Sequence, residues 1–137
     1  MPLATRNITS AKKQFKTNIA ETSIIIPAAG MGYRMKSYGP KALINIHNDT
    51  TLIERQIELL WSEYPKSELF IVVGFESEKI KKRLSKYPVR FIYNPIHETS
   101  NFLYSIGLAM QAIISNEVII VYGDLIFNES AIRNLRG

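Results

Sequence analysis

The stretch Ser23-Ile24-Ile25-Ile26-Pro27-Ala28-Ala29-Gly30-Met31-Gly32-Tyr33-Arg34-Met35, followed after residues 36–39 by Pro40-Lys41, decides how this sequence folds. Residues 23–27 form an apolar, β-branched run without alternation, which predicts a strand buried on both faces. Small residues and two glycines end it. A strand that opens into Gly30 and Gly32 makes a loop whose backbone N–H groups can turn toward an anion with no side chain between, as cradling a triphosphate requires. Arg34 offers phosphate oxygens a planar fork of donors, Lys41 a compact charge, and Pro40 fixes the backbone just before that lysine.

Outward from this loop the chain alternates between two periods. Residues 51–64 place Ile53, Ile57, Leu60 and Trp61 on one helical stripe, and Thr51 with Glu54 has the spacing of a capping box. Residues 69–73 read as a second buried strand stopped by Gly74, residues 77–87 as a basic helix ended by Pro88, and residues 89–93 as a third strand. A helix is expected over 101–115, with Ile106, Met110, Ile113 and Ile114 on its buried face, and a fourth strand over 118–122 running into Gly123 and Asp124. Strands alternating with helices predict right-handed crossovers and a mostly parallel sheet covered on both sides. Ligands of such sheets sit beyond the carboxyl ends of the strands, which directs attention to the segments after the first and fourth.

Composition narrows the function classes. With 137 residues, 46% of them hydrophobic, the chain can bury one core, expected over residues 23–137. Residues 1–22 are polar, carry Lys12, Lys13 and Lys16, and lack the apolar centre of a secretory signal; they read as a flexible or weakly helical lead-in. There is no cysteine, so disulfides and thiolate metal sites are excluded. His47 and His97 lack ligand-like spacing and read as surface residues, leaving oxygen ligands for any metal. The apolar runs fall far short of the roughly 20 residues that span a bilayer, so a cytoplasmic protein without membrane insertion is expected. The net charge of +5 is concentrated in Lys79, Lys81, Lys82, Arg83 and Lys86. Because Ile80, Leu84 and Tyr87 recur at helical spacing, these cations fall on the solvated face, and nucleic-acid binding is set aside. A basic surface does raise the local concentration of phosphate substrates.

The glycine loop is not the dinucleotide fingerprint, which needs a third glycine where Met35 stands, nor a Walker A loop, which needs Gly-Lys followed by Ser or Thr. The whole string, Ala28-Ala29-Gly30, Gly32, Arg34-Met35 and Pro40-Lys41, resembles the signature of the nucleotidyltransferases with a glycosyltransferase-A-like fold. That family includes sugar-phosphate nucleotidyltransferases and phosphocholine cytidylyltransferase. The resemblance covers about residues 23–128. It implies a three-layer α/β/α sandwich with a mostly parallel, Rossmann-like sheet, truncated to its nucleotide-binding half. It further implies that Ala28, Ala29, Gly30 and Gly32 wrap the triphosphate, that Arg34 binds the departing pyrophosphate, and that Lys41 steadies charge at the α-phosphorus.

Two further segments have both a structural and a functional interpretation. Asn101 suits a helix N-cap followed by core aromatics, while the resemblance assigns Asn101 and Ser105 to base or ribose contacts. Asp124 after Gly123 suits a turn, while the resemblance makes it a Mg²⁺ carboxylate. The implied reaction moves a nucleoside monophosphate, with CMP as first choice, from a nucleoside triphosphate to a phosphorylated sugar or alcohol. Two alternatives stand beside it: a catalytically incomplete nucleotide-binding module, and a molybdopterin guanylyltransferase-like enzyme, against which Ala29 stands where that group has a Gly-Gly pair. A homo-oligomer is left open.

Overall fold

The computed structural model describes residues 21–30 and 40–121. Expectations that fall on 1–20, 31–39 and 122–137, including those for Gly32, Arg34, Met35 and Asp124, lie outside the described residues.

Four parallel strands form the central sheet. β1 (Thr22–Ala28) pairs along its length with β4 (Ser67–Val73) and over Thr22 to Ile25 with β6 (Glu117–Ile120), and β4 pairs with β5 (Arg90–Tyr93), giving the order β5-β4-β1-β6. β2 (Asn45–His47) and β3 (Thr50–Thr51) form a small antiparallel hairpin that periodicity did not predict, since strands this short carry no period. Its turn residues Asn48 and Asp49 take positive φ of 41° and 64°, the two-residue connection whose twist suits a hairpin.

Alternate side chains of β1 and β4 feed two cores, which explains their continuous apolar sequence. Ile24, Ile26, Leu69, Ile71 and Val73 point to the face covered by helices α1 (Leu52–Glu63) and α2 (Ser77–Arg83), where they meet Ile53, Ile57, Leu60, Ile80 and Leu84. Ile25, Phe70 and Val72 point to the opposite face and meet Ala109 of α3 (Phe102–Met110). The arrangement is the expected three-layer α/β/α sandwich.

α1 begins as its sequence requires. The Thr51 hydroxyl accepts from the Glu54 N–H at 3.3 Å while the Glu54 carboxylate accepts from the Thr51 N–H at 3.2 Å, closing the capping box. α3 is shorter than expected. It stops at Met110, and Met110 (46% exposed) and Ile114 (66%) face outward instead of into the core; Ser105 and Ala109 occupy its buried stripe. Helical spacing ceases to predict a face once the helix has ended, which is why Ile114 was misassigned.

Candidate active site

The sheet order creates a crevice at one point. From β1 the chain steps outward through β4 to β5, then crosses back to lay β6 on the other side of β1. The boundary between β1 and β6 is therefore the topological switch, where connections leave in opposite directions and a ligand can enter between them. The Val121 N–H donates to the Ile25 carbonyl at 2.9 Å, so the chain leaving β6 starts against β1. β1 itself runs on to Ala28. Ala29 is buried and Gly30 is exposed beyond the strand ends. A Cβ added to Gly30 would meet nothing within 4 Å, so packing among the described residues does not require glycine there.

The neighbouring strand end is crowded. A Cβ on Gly74 would lie 2.5 Å from His97 Cβ, 2.6 Å from His97 Cγ and 3.0 Å from the Ala29 carbonyl oxygen. That carbonyl also accepts from the Phe75 N–H at 3.0 Å, tying the exits of β1 and β4 together. His97 is thus half-buried against the strand ends rather than free on the surface; His47, by contrast, is exposed as expected.

Asn94 holds His97's segment in place. It is 1% exposed, its N–H donates to the Val73 carbonyl at 2.8 Å, its Oδ1 accepts from the Ile96 N–H, and its Nδ2 donates to the hydroxyls of Ser100 (2.9 Å) and Ser105 (3.1 Å). A buried amide with this many partners fixes the path of 94–100 across the strand ends. Read from sequence, Asn94 carries no role and Gly74 is only the end of a strand. The Asn94-Pro95 dipeptide, a turn initiator directly after a strand, was the available signal.

Of the residues singled out from sequence, Ala28, Ala29 and Gly30 gather at the crevice. Lys41 is exposed at the start of a 3₁₀ turn, η1 (Lys41–Leu43), which Pro40 opens with φ −62°. Asn101 caps α3, its Oδ1 accepting from the Tyr104 N–H at 3.2 Å, and its side chain is exposed. Ser105 is 3% exposed and supports Asn94, so among its described bonds it is a structural residue. The side chains after Asn101 are not core: Phe102 is 43% and Tyr104 41% exposed.

A second polar cluster lies on the other face of the sheet. An open cavity of about 790 Å³ is bounded by the β2–β3 hairpin, α1 and α2, with Asp49, Glu54, Lys82, Arg83 and Lys86 in its walls. It lies away from the crevice, and several of its charges are already paired. Burial would raise the Glu54 pKa, yet hydrogen bonds from Arg83 and Thr51 and the guanidinium charge outweigh it, and the carboxyl is lowered to about 2. The Tyr87 hydroxyl is raised by burial and by its bond to Glu58. Among the described residues no three His, Asp or Glu side chains gather into a metal site, and no helix is long and apolar enough to cross a membrane.

Comparison with known proteins gives concordant results. A family model described as a MobA-like NTP transferase domain matches residues 24–137. Choline-phosphate cytidylyltransferase of Streptococcus pneumoniae (strain ATCC BAA-255 / R6) is 36% identical over 98 residues, 69% of this chain and 42% of that protein. The bifunctional protein GlmU of Buchnera aphidicola subsp. Acyrthosiphon pisum (strain APS) is 32% identical over 108 residues, 78% of this chain and 23% of that protein. Among solved structures, CTP:phosphocholine cytidylyltransferase from Streptococcus pneumoniae aligns with a TM-score of 0.65 and 29% identity over 80% of this chain and 50% of that one. A nucleotidyl transferase from Methanothermobacter thermautotroptrophicus shares the fold, with a TM-score of 0.71 and 22% identity over 83% of this chain and 56% of that one. The chain thus spans about half, or less, of the length of these relatives.

Proposed function

We propose, because this chain belongs to the MobA-like NTP transferase domain family, that it carries the triphosphate site of an enzyme transferring a nucleoside monophosphate to a phosphorylated small molecule. The observation that carries the proposal is the emergence of Ala29-Gly30 from β1 at the switch point, between the parallel neighbours β4 and β6. CMP is the group favoured, on the 36% identity to a choline-phosphate cytidylyltransferase, and a phosphorylated sugar or alcohol is the acceptor class.

In this reaction an acceptor phosphate oxygen forms a bond to the α-phosphorus of the triphosphate, the bond to the bridging oxygen breaks, and pyrophosphate leaves with its electron pair. The acceptor phosphate is already ionised at neutral pH, so no general base is required. Catalysis then consists of positioning and charge neutralisation. Backbone N–H groups of Ala28, Ala29, Gly30 and Gly32 line the triphosphate, Arg34 takes the departing pyrophosphate, and Lys41 offsets charge at the α-phosphorus. Asn101, exposed at the start of α3, is the stronger candidate for a base or ribose contact; Ser105 is buried and bonded to Asn94. Asp124 is the proposed Mg²⁺ ligand. It follows a strand that leaves the sheet beside β1, and this absence of cysteine suits an oxygen-ligated ion. Mg²⁺ would supply neutralisation of triphosphate charge.

The test is pyrophosphate release by the full-length protein with Mg²⁺, each of CTP, UTP, GTP and ATP, and a panel of phosphorylated sugars and alcohols. Release with CTP and one acceptor class is expected. Triphosphate binding without release from any pair would replace the enzyme by a nucleotide-binding module, and a preference for GTP would overturn the choice of base.

A further inference from the structure

Glu54 is a buried carboxylate for which the transfer reaction has no use. It is 3% exposed, and its Oε1 accepts from the Thr51 N–H at 3.2 Å, the Thr51 hydroxyl at 2.9 Å and Arg83 Nε at 2.6 Å. Its Oε2 lies 3.3 Å from the Tyr87 hydroxyl and 3.4 Å from Lys86 Nζ. An N-terminal cap needs only the first of these contacts. Those to Arg83, Lys86 and Tyr87 tie the start of α1 to the end of α2 and the residues just after it, and Arg83 carries the connection further: its Nη2 donates to the backbone carbonyl of Asp49 in the hairpin turn.

That turn is where an external support matters. Asn48 and Asp49 both hold φ in the left-handed region, which Asn and Asp adopt more readily than other side chains but at more cost than glycine, so a contact at the tip helps to hold it. Between Lys41 and Thr50 only Ala42 is buried, with Leu43 packed partly against the same core, so the core anchors the start of this segment and leaves the hairpin at 45–49 to other supports. At its base the Leu52 N–H donates to the Ile44 carbonyl at 2.9 Å. At its tip stands the Arg83 guanidinium, oriented by a carboxylate that is itself fixed by the capping box.

We propose that Arg83, oriented by Glu54, is a positioning residue that sets Lys41 for transfer by pinning the β2–β3 hairpin, through which Lys41 is joined to α1. This rests on the transfer reaction above, in which Lys41 meets the α-phosphate. A rigid fork matters here because one planar group must serve a carboxylate and a carbonyl together, which an ammonium on a flexible stem does poorly. Misplacement of a catalytic group by about 1 Å can lower a rate by ~100-fold, so a clamp remote from the substrate can still have a measurable effect.

Arg83→Ala would strand the buried carboxylate and endanger the fold, so Arg83→Lys is the main variant. It keeps a cation beside Glu54 and gives up the simultaneous bond to Asp49. In the full-length protein, with whichever triphosphate and acceptor the parent uses best, Arg83→Lys is expected to lower kcat by about tenfold. KM for the triphosphate should stay within about threefold and the melting temperature nearly unchanged. A double-mutant cycle separates positioning from a general structural role: placed on Lys41→Ala, Arg83→Lys should have almost no further effect, because the residue through which it acts is gone. A kcat within twofold of the parent overturns the proposal, as does an equal fold-loss with and without Lys41. A parent inert with every pair removes the transfer reaction and this proposal with it, whereas a Lys41→Ala variant as fast as the parent leaves the reaction standing and overturns this proposal alone. Both results are visible before any Arg83 variant is compared.

Discussion

The two faces of the sheet are built differently. Beneath α1 and α2 the packing is closed: Ile53, Ile57, Leu60, Ile80 and Leu84 are all fully buried, and the buried Glu54 carboxylate is matched by Thr51, Arg83, Lys86 and Tyr87. Beneath α3 the core is Ile25, Ala29, Phe70, Val72 and Ala109, and every large hydrophobic exposed among the described residues comes from 93–120: Ile96, Phe102, Leu103, Tyr104, Met110, Ile114 and Ile120, together with Tyr93, whose register partner Val73 belongs to the other core. The same side also holds Asn94, His97 and Asn101, grouped around the strand ends. The more closely covered face contributes more buried side chains, and the proposed site draws on the other, so substitutions are expected to separate by face in what they damage.

The sharpest way to break that contrast is to remove a side chain from the closed face. Ile57→Ala should destabilise by about 2–5 kcal/mol, since it deletes fully buried methyl groups and leaves a cavity; chemical denaturation of parent and variant measures it. A loss near zero would mean that α1 is not the principal cover of the sheet. Acid provides a second probe of the same face. The Glu54 carboxyl is lowered from 4.5 to about 2, so its contribution to stability is complete above about pH 4.5 and disappears as the pH falls through about 2. That shift corresponds to a contribution on the order of 3 kcal/mol at neutral pH. Glu54→Gln should be less stable than the parent at pH 7, with the two curves converging toward pH 2. A gap that does not narrow with acid would show that the charge of Glu54 is not what matters.

The closed face was largely legible in the sequence because its residues obey a period. The stripe Ile53, Ile57, Leu60 and the spacing of Thr51 to Glu54 are local facts, and so are the apolar runs of β1 and β4. Arg83 was not legible. It stands in a run of cations that helical spacing sends to solvent, yet it turns to a carboxylate 29 residues earlier, and no short-range pattern encodes that pairing. The open face was harder throughout. Met110 and Ile114 are apolar at the right intervals, but α3 ends too soon for the interval to matter. At the candidate site, Ala29-Gly30 could be placed at the end of a strand from sequence. That His97 would press on Gly74 depends on which strands are neighbours, a property of topology rather than of local pattern.

On the open face the largest structural effect should come from Gly74→Ala. The added Cβ would meet His97 Cβ, an atom that no rotation about χ1 removes, so residues 94–100 must shift away from the strand ends. A loss of about 1–3 kcal/mol is expected from overpacking, together with weaker Mg²⁺-triphosphate binding by calorimetry. Normal binding in a destabilised variant would place the ligand away from this loop. Asn101 permits a finer separation. Asn101→Ala should cost about 1 kcal/mol through loss of the cap, whereas Asn101→Ser keeps a capping oxygen and should leave stability within a few tenths of a kcal/mol. If Asn101 also meets the base or ribose, both variants should weaken triphosphate binding alike, because both lack the amide. Binding that tracks stability across the pair would leave Asn101 as a cap and nothing more.

The smallest expected effect is the most direct check of the comparison. Ile114 is 66% exposed, so replacing it by serine removes little buried area, and the denaturation midpoint should move by no more than about 0.5 kcal/mol in stability. The same exchange at Ile57, an isoleucine with no exposure, should be among the most damaging in the chain. The two variants differ only in which face receives the hydroxyl. A loss at Ile114 approaching that at Ile57 would mean that the face beneath α3 is covered in solution by further polypeptide. The division between a closed face and an open one would then belong to these residues taken alone rather than to the folded protein.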